Sequence, residues 1–123
     1  MYGQALKRYR QVDLESAPKT QILDKLYGRF QRDVDDAKAA IADGDVKART
    51  AASEHASLIV IELVAALDHG VAPELCANLE ALYDFVQNRL SRANAENEPA
   101  PLDEAAHIMS DLRGAFQQAA AQQ

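Results

Sequence analysis

One cysteine, Cys76, in a chain of 123 residues cannot close an internal disulfide, so nothing here calls for an oxidising compartment. Tryptophan is absent, and the five glycines stand singly, which leaves no glycine-rich loop to cradle a phosphate. Apolar runs are short: Leu58–Ile61 and Leu63–Leu67 are the most pronounced, far below the roughly 20 residues of a membrane-spanning helix. No membrane insertion is expected. The opening MYGQALKRYR lacks the apolar stretch of a secretory signal, and a cytoplasmic protein is the default expectation. Basic side chains are outnumbered, 13 Lys and Arg against 19 Asp and Glu, for a net charge of −6. A nucleic-acid surface needs a basic footprint, so no nucleic-acid partner is expected. There is no β-hairpin signal and no internal repeat.

What remains is ordinary for one globular domain over 1–123. Apolar residues make up 48% of the chain, and a chain of this size can bury a real core without staples. The charge is unevenly placed. Residues 1–32 carry seven basic against three acidic side chains, or +4, and residues 33–123 carry six against sixteen, or −10. Two readings follow: the basic quarter folds back on the acidic remainder or meets an acidic partner, or the charges are simply solvated and contribute little.

Helical periodicity dominates. Tyr2, Ala5, Leu6 and Tyr9 are spaced as one face of a short helix within a cap segment, 1–15, that needs docking to persist. Ser16-Ala17-Pro18 interrupts it. A helix over 18–43 then carries Ile22, Leu23, Leu26, Tyr27, Phe30, Val34, Ala37 and Ile41 within an arc of about 140°. Gly44 suits the left-handed position after that helix, and Asp45 suits the cap of the next. The helix over 45–68 is apolar nearly all round in its second half, with Glu62 the main exception. Such a helix sits centrally in a bundle or shows one face to a partner. His69-Gly70 stops it, Pro73 opens a helix over 73–94, and Glu96–Pro101 reads as a proline-held linker. A last helix over 102–118 presents Leu102, Ala105, Ala106, Met109, Leu112 and Phe116 before fraying into AAAQQ. Short connections imply antiparallel neighbours. The predicted fold is all-α, an antiparallel up-and-down four-helix bundle with an additional short N-terminal helix.

Catalytic groups are scarce. Glu104-Ala-Ala-His107 matches the Glu-x-x-His element of di-iron bundles, but those sites need a second such element, and the chain has none. The two side chains are expected on the solvent side. His55, His69, His107 and Cys76 lack paired metal-ligand spacing. His55 raises the question of phosphotransfer, yet Ala56-Ser57-Leu58-Ile59 follows where such domains place a lysine and a glycine; an ordinary, partly buried histidine is expected. Cys76 fits a small buried apolar residue better than a nucleophile. The expectation is a protein that is not an enzyme and needs no cofactor or metal.

The stretch NLEALYDFVQNRL, Asn78–Leu90, has more apolar surface than a buried helix requires. Leu75, Leu79, Leu82, Tyr83, Val86 and Leu90 make its main stripe, with Leu79 and Val86 facing inward. Phe85, Asn78 and Arg89 lie beside the stripe, within about 40° of one another. An aromatic with hydrogen-bonding groups and arginine is what partner-binding surfaces favour; packing of Phe85 beneath a linker or the N-terminal helix is the alternative.

These residues carry a resemblance. Met1-Tyr2 with Tyr9-Arg-Gln-Val, Ser16-Ala17-Pro18 ahead of Leu26-Tyr27, Ala37-Lys38-Ala39-Ala40-Ile41, Glu62-Leu63 with Leu67-Asp68, and Leu102-Asp-Glu with Leu112-Arg113 occur in order. The most specific group is Asn78-Leu79-x-x-Leu82-Tyr83-Asp84-Phe85-x-x-x-Arg89-Leu90-x-x-Ala93-Asn94. Over nearly its whole length the chain resembles the flagellin-specific export chaperones of bacteria, the FliS family. It departs at Leu26-Tyr27-Gly28-Arg29, where the family usually has Leu-Tyr-Asp-Gly, and at Phe116, where tryptophan is common.

The resemblance implies a cytoplasmic bundle that binds the C-terminal segment of flagellin. Binding would prevent premature polymerisation and keep the subunit competent for flagellar type III secretion, with export-apparatus components as further partners. The implied client contacts are Ile22, Leu26, Tyr27 and Phe30 on one helix and Asn78, Leu82, Tyr83, Phe85 and Arg89 on another. Asn78 would bond client backbone, Phe85 would anchor, and Arg89 would meet a carboxylate or carbonyl. Tyr2, Leu6 and Tyr9 would form a displaceable cover. An adaptor or regulator gripping some other amphipathic helix is the alternative binding function.

Overall fold

A computed structural model describes residues 17–121. Among them there are four helices and no strand: α1 (Ala17–Asp43), α2 (Val46–Ala65), α3 (Pro73–Glu96) and α4 (Ala100–Ala121). The expected N-terminal helix, with Tyr2, Leu6 and Tyr9, lies outside the described residues.

The junctions follow from local chemistry. Gly44, at φ 70°, takes the left-handed position after α1. Its N–H donates to the Ile41 carbonyl and the Asp45 N–H to that of Ala40, the paired bonds of a Schellman motif. The Asp45 carboxylate then accepts from the Ala48 N–H at 3.0 Å and caps α2. Pro73 stands in the first turn of α3, where its missing N–H costs nothing.

Several helix bounds differ from the sequence expectation, α2 among them, which ends at Ala65 and not at 68. The linker is only three residues long, because α3 continues to Glu96 and α4 already starts at Ala100. Asn97 closes α3 in the left-handed conformation, at φ 56°, and Pro101 sits inside the first turn of α4, where a proline is compatible with helix. At the other end α4 does not fray after residue 118. It runs to Ala121, held by a buried Ala119.

Each helix packs against its neighbours in sequence, and α1 closes the ring against α4. Cross-links fix two directions. Asp24, Gln31 and Lys38 along α1 meet Arg113, Ala106 and Asp103 in descending order along α4, so α1 and α4 are antiparallel. Arg49 and Ser57 on α2 meet Asn94 and Gln87 on α3 in the same reversed sense. The ring of contacts makes α1 diagonal to α3. Between them lies a core whose largest buried side chains include Tyr27, Phe30, Leu63, Leu79, Tyr83, Leu102 and Met109.

One polar contact crosses this core. The hydroxyls of Tyr27 and Tyr83 are 2.6 Å apart, one donating and the other accepting, and the Tyr27 ring lies 5.8 Å from that of Phe116. Burial pushes the Tyr83 phenol up to about 12 and raises Tyr27 as well, so both stay neutral in the physiological range. Removing one hydroxyl strands the other. Tyr27→Phe or Tyr83→Phe is expected to cost about 1–3 kcal/mol, and the double variant less than the sum of the two. Urea unfolding of the four proteins checks this, and additive losses would contradict the pairing.

The α1–α4 seam carries a second cross-link. Arg113 makes two bonds to the Asp24 carboxylate, at 2.9 and 3.1 Å, and Gln117 adds a third. Its guanidinium lies over Gly28, where a Cβ would approach to 3.1 Å, so glycine at this departure from the family pattern leaves room for the crossing. The Arg113 hydrogen bond is the main reason the Asp24 carboxyl titrates below its usual value of 3.8. A depressed folded-state pKa stabilises the fold above the unfolded value, and that stabilisation is lost as pH falls through the folded one. Arg113→Met should therefore return Asp24 to ordinary titration by NMR. It should cost at most about 1 kcal/mol for this half-exposed pair, a difference that vanishes in acid.

Candidate partner-binding surface

The residues picked out by sequence divide sharply by position. Tyr27, Phe30 and Tyr83 are buried in the core. Their places on the helices face the bundle axis, so without a client they pack inside the bundle. Ile22, Asn78 and Phe85 are exposed, and Leu26, Leu82 and Arg89 are half-buried. Leu79 and Val86 point inward.

On α3 the outward residues are contiguous. Asn78, Leu82, Phe85 and Arg89 fall within about 60° at 100° per residue. Arg89 reaches Glu104 of α4 at 3.7 Å, so this strip borders the α3/α4 groove. Phe85 is 40% exposed. The Arg89 guanidinium sits 4.9 Å from the centroid of its ring, a cation–π arrangement, and also donates to the Asn88 side chain. Its charge is thus held over the aromatic face and not extended into solvent.

Ile22 and Leu26 lie elsewhere. By helical spacing they share a side of α1 with Asp33, whose carboxylate accepts from His55 of α2; that side borders the α1/α2 groove. The α1/α2 and α3/α4 grooves are on opposite sides of the ring of helices. The structure therefore does not gather the candidates into one site but divides them between two faces.

The structure decides between the two places the sequence left open for the helix with Leu58–Leu67. The helix that reads as apolar all round, α2, is not central: Leu58 is 58% and Ile61 54% exposed. The run Leu58–Leu67 contained the signal, but periodicity alone does not tell a central helix from one with a bare apolar face.

The residues considered for chemistry have structural partners. His55 is exposed, not partly buried; it turns Nδ1 to the buried Asp33 carboxylate, which Arg29 also approaches at 3.5 Å. The loss of solvent by Asp33 accounts for this contact, since a buried carboxylate needs compensation. Glu104 and His107 are exposed, the first facing Arg89 and the second 3.5 Å from Asp111. Cys76 is fully buried. Among the described residues no group of three His, Cys, Asp or Glu side chains is placed to hold a metal ion, and no helix is long and apolar enough to cross a membrane.

The comparisons with known proteins agree along the chain. Residues 2–123 match the family described as flagellar protein FliS. The flagellar secretion chaperone FliS of Salmonella typhimurium is 30% identical over 118 residues, covering 92% of this chain and 87% of that protein. Its namesake in Vibrio cholerae is 27% identical over 119 residues, with 93% and 87% covered. That of Bacillus subtilis is 29% identical over 111 residues, with 90% and 82% covered. The chain belongs to the FliS family of flagellar secretion chaperones.

Proposed function

We propose that this chain is a cytoplasmic export chaperone that binds the C-terminal segment of flagellin, keeps it from polymerising prematurely and holds it ready for flagellar type III secretion. The observation that carries this reading is Phe85: a large aromatic, exposed in the most specific family motif and backed by Arg89. An anchor of that kind, flanked by Asn78 and Leu82, fits the apolar side of an amphipathic client helix. The relatives in Salmonella typhimurium and Vibrio cholerae are flagellar secretion chaperones, which supports the same class of partner.

Within this reading, Ile22 and Leu26 take a second part of the client on the opposite face. The client then passes around the bundle, as an extended polypeptide can and a compact partner cannot. Tyr2, Leu6 and Tyr9 cover one of these faces until the client displaces them, and contacts with the export apparatus follow once the client is bound. No bond is made or broken; the work is occupation of a surface that would otherwise join a filament.

The test is inhibition of assembly. Monomeric cognate flagellin, triggered to polymerise, is followed by light scattering with increasing amounts of the purified chain. Suppression that saturates near equimolar chaperone supports the proposal, and polymerisation indifferent to the chain overturns it.

A further inference from the structure

Between α2 and α3 lies a hollow of about 150 Å³ lined by Ser53, Glu54, Ser57, Gln87, Ser91 and Asn94 above the buried Leu90. It has room for several waters or one polar side chain. Its lining contains the one buried side-chain polar atom among the described residues that lacks a hydrogen-bond partner, Ser53 Oγ. Ser53 is only 7% exposed. A buried hydroxyl without a partner loses its hydration for no return and calls for a specific explanation; a ligand group entering the hollow supplies one.

The other lining groups are already half used. The Gln87 amide donates to the Ser57 carbonyl at 3.0 Å, which leaves its oxygen to accept. The Asn94 oxygen accepts from Arg49 and Thr50, which leaves its NH₂ to donate. The hydroxyls do either. A carboxylate entering here would meet Glu54 at the rim, and an ammonium would leave the Asn94 donor unanswered. A neutral group that both donates and accepts, a primary amide, suits the pattern.

The location identifies the carrier. A client touching both Ile22/Leu26 and the Phe85 strip must cross one flank of the bundle. The α1–α4 flank is closed by the Asp24–Arg113, Asp24–Gln117 and Lys38–Asp103 bonds. The α2–α3 flank holds the hollow, with the exposed Leu58 and Ile61 one turn along α2 from Glu54 and Ser57. We propose that this hollow is a polar subsite of the client path, receiving the side-chain amide of an Asn or Gln from the flagellin segment as it crosses α2 and α3. The assignment rests on the chaperone reading above.

The experiment titrates a peptide of the C-terminal segment of the cognate flagellin into full-length wild-type, Ser53→Ala, Ser91→Leu and Phe85→Ala proteins. Thermal unfolding is measured for each. Ser91→Leu obstructs the hollow from an exposed position and should weaken binding about tenfold or more. Ser53→Ala should weaken it by about three- to tenfold, the worth of one hydrogen bond, without lowering the melting temperature, since no intramolecular bond is lost. Replacing the peptide's Asn and Gln by Leu in turn should reveal one position whose effect disappears in Ser53→Ala.

If both serine variants bind within twofold of wild type while Phe85→Ala does not, the hollow assignment fails and the chaperone reading stands. A lowered melting temperature in Ser53→Ala would mean that the hydroxyl is already satisfied, and also overturns the assignment. If the peptide binds none of the four proteins, the chaperone reading fails and takes the assignment with it.

Discussion

Phe30→Ala is expected to lower the unfolding free energy by about 3–5 kcal/mol, with the change appearing in the urea midpoint and not in the slope. Phe30 has no exposed surface and lies within the buried cluster shared by all four helices. Truncation there removes the transfer free energy of a ring and leaves a cavity that the surrounding Tyr27, Val34 and other core side chains fill only in part. A single domain commonly has a total stability of only about 5–15 kcal/mol, so the variant sits near the edge of folding. Its affinity for a client should fall only as far as its folded fraction falls. Ile22→Ala, on the same helix and equally apolar in sequence, should cost less than about 1 kcal/mol because Ile22 is exposed. A small loss at Phe30 would contradict its assignment to the core.

Phe85→Ala is expected to do the opposite. Affinity for the flagellin C-terminal segment should drop about thirtyfold, the scale of an interface hot spot near 2 kcal/mol, while stability changes by about 1 kcal/mol or less. The ring is already 40% in solvent, so truncation opens no interior cavity; it removes the aromatic face and releases the Arg89 guanidinium stacked on it. Arg89→Gln should show a weaker version of the same loss, since it keeps the ring and discards the cation. Calorimetric titration and thermal unfolding of both variants check this. A stability loss at Phe85 comparable to that at Phe30 would mean that the ring packs and does not bind.

The contrast between these two phenylalanines marks where the sequence stopped being informative. Helical spacing identified the inward faces, because burial follows the 3.6-residue period: Leu79, Val86, Leu102 and Met109 lie where that period puts them. It could not separate Phe30 from Ile22 on α1, since both fall within the apolar arc and only the width of the groove between neighbouring helices decides which is covered. The family motif had the same difficulty with Tyr83 and Phe85, two residues apart. One is held in the core through its hydroxyl bond to Tyr27 and the other faces outward.

The division of the candidates between two faces was equally hidden. It depends on which helices touch, and Ile22 and Phe85 are on diagonal helices. Nor do the serines of the α2–α3 hollow form a pattern along the chain. Ser53 and Ser57 come from one helix and Gln87 and Ser91 from another, and Ser53 becomes notable only once packing has taken its hydroxyl out of water. The proline-rich stretch before α4 misled for a local reason: Pro101 reads as a breaker in isolation, yet occupies the one helical turn that tolerates it.

The central claim is that this bundle holds the C-terminal segment of flagellin, and isothermal titration of that segment into the full-length protein at several temperatures tests it most directly. The account predicts saturable binding with a negative heat-capacity change from apolar burial, lost in large part in Phe85→Ala. Absence of heat and of any complex at concentrations well above micromolar, with the cognate flagellin and a folded chaperone, would contradict it.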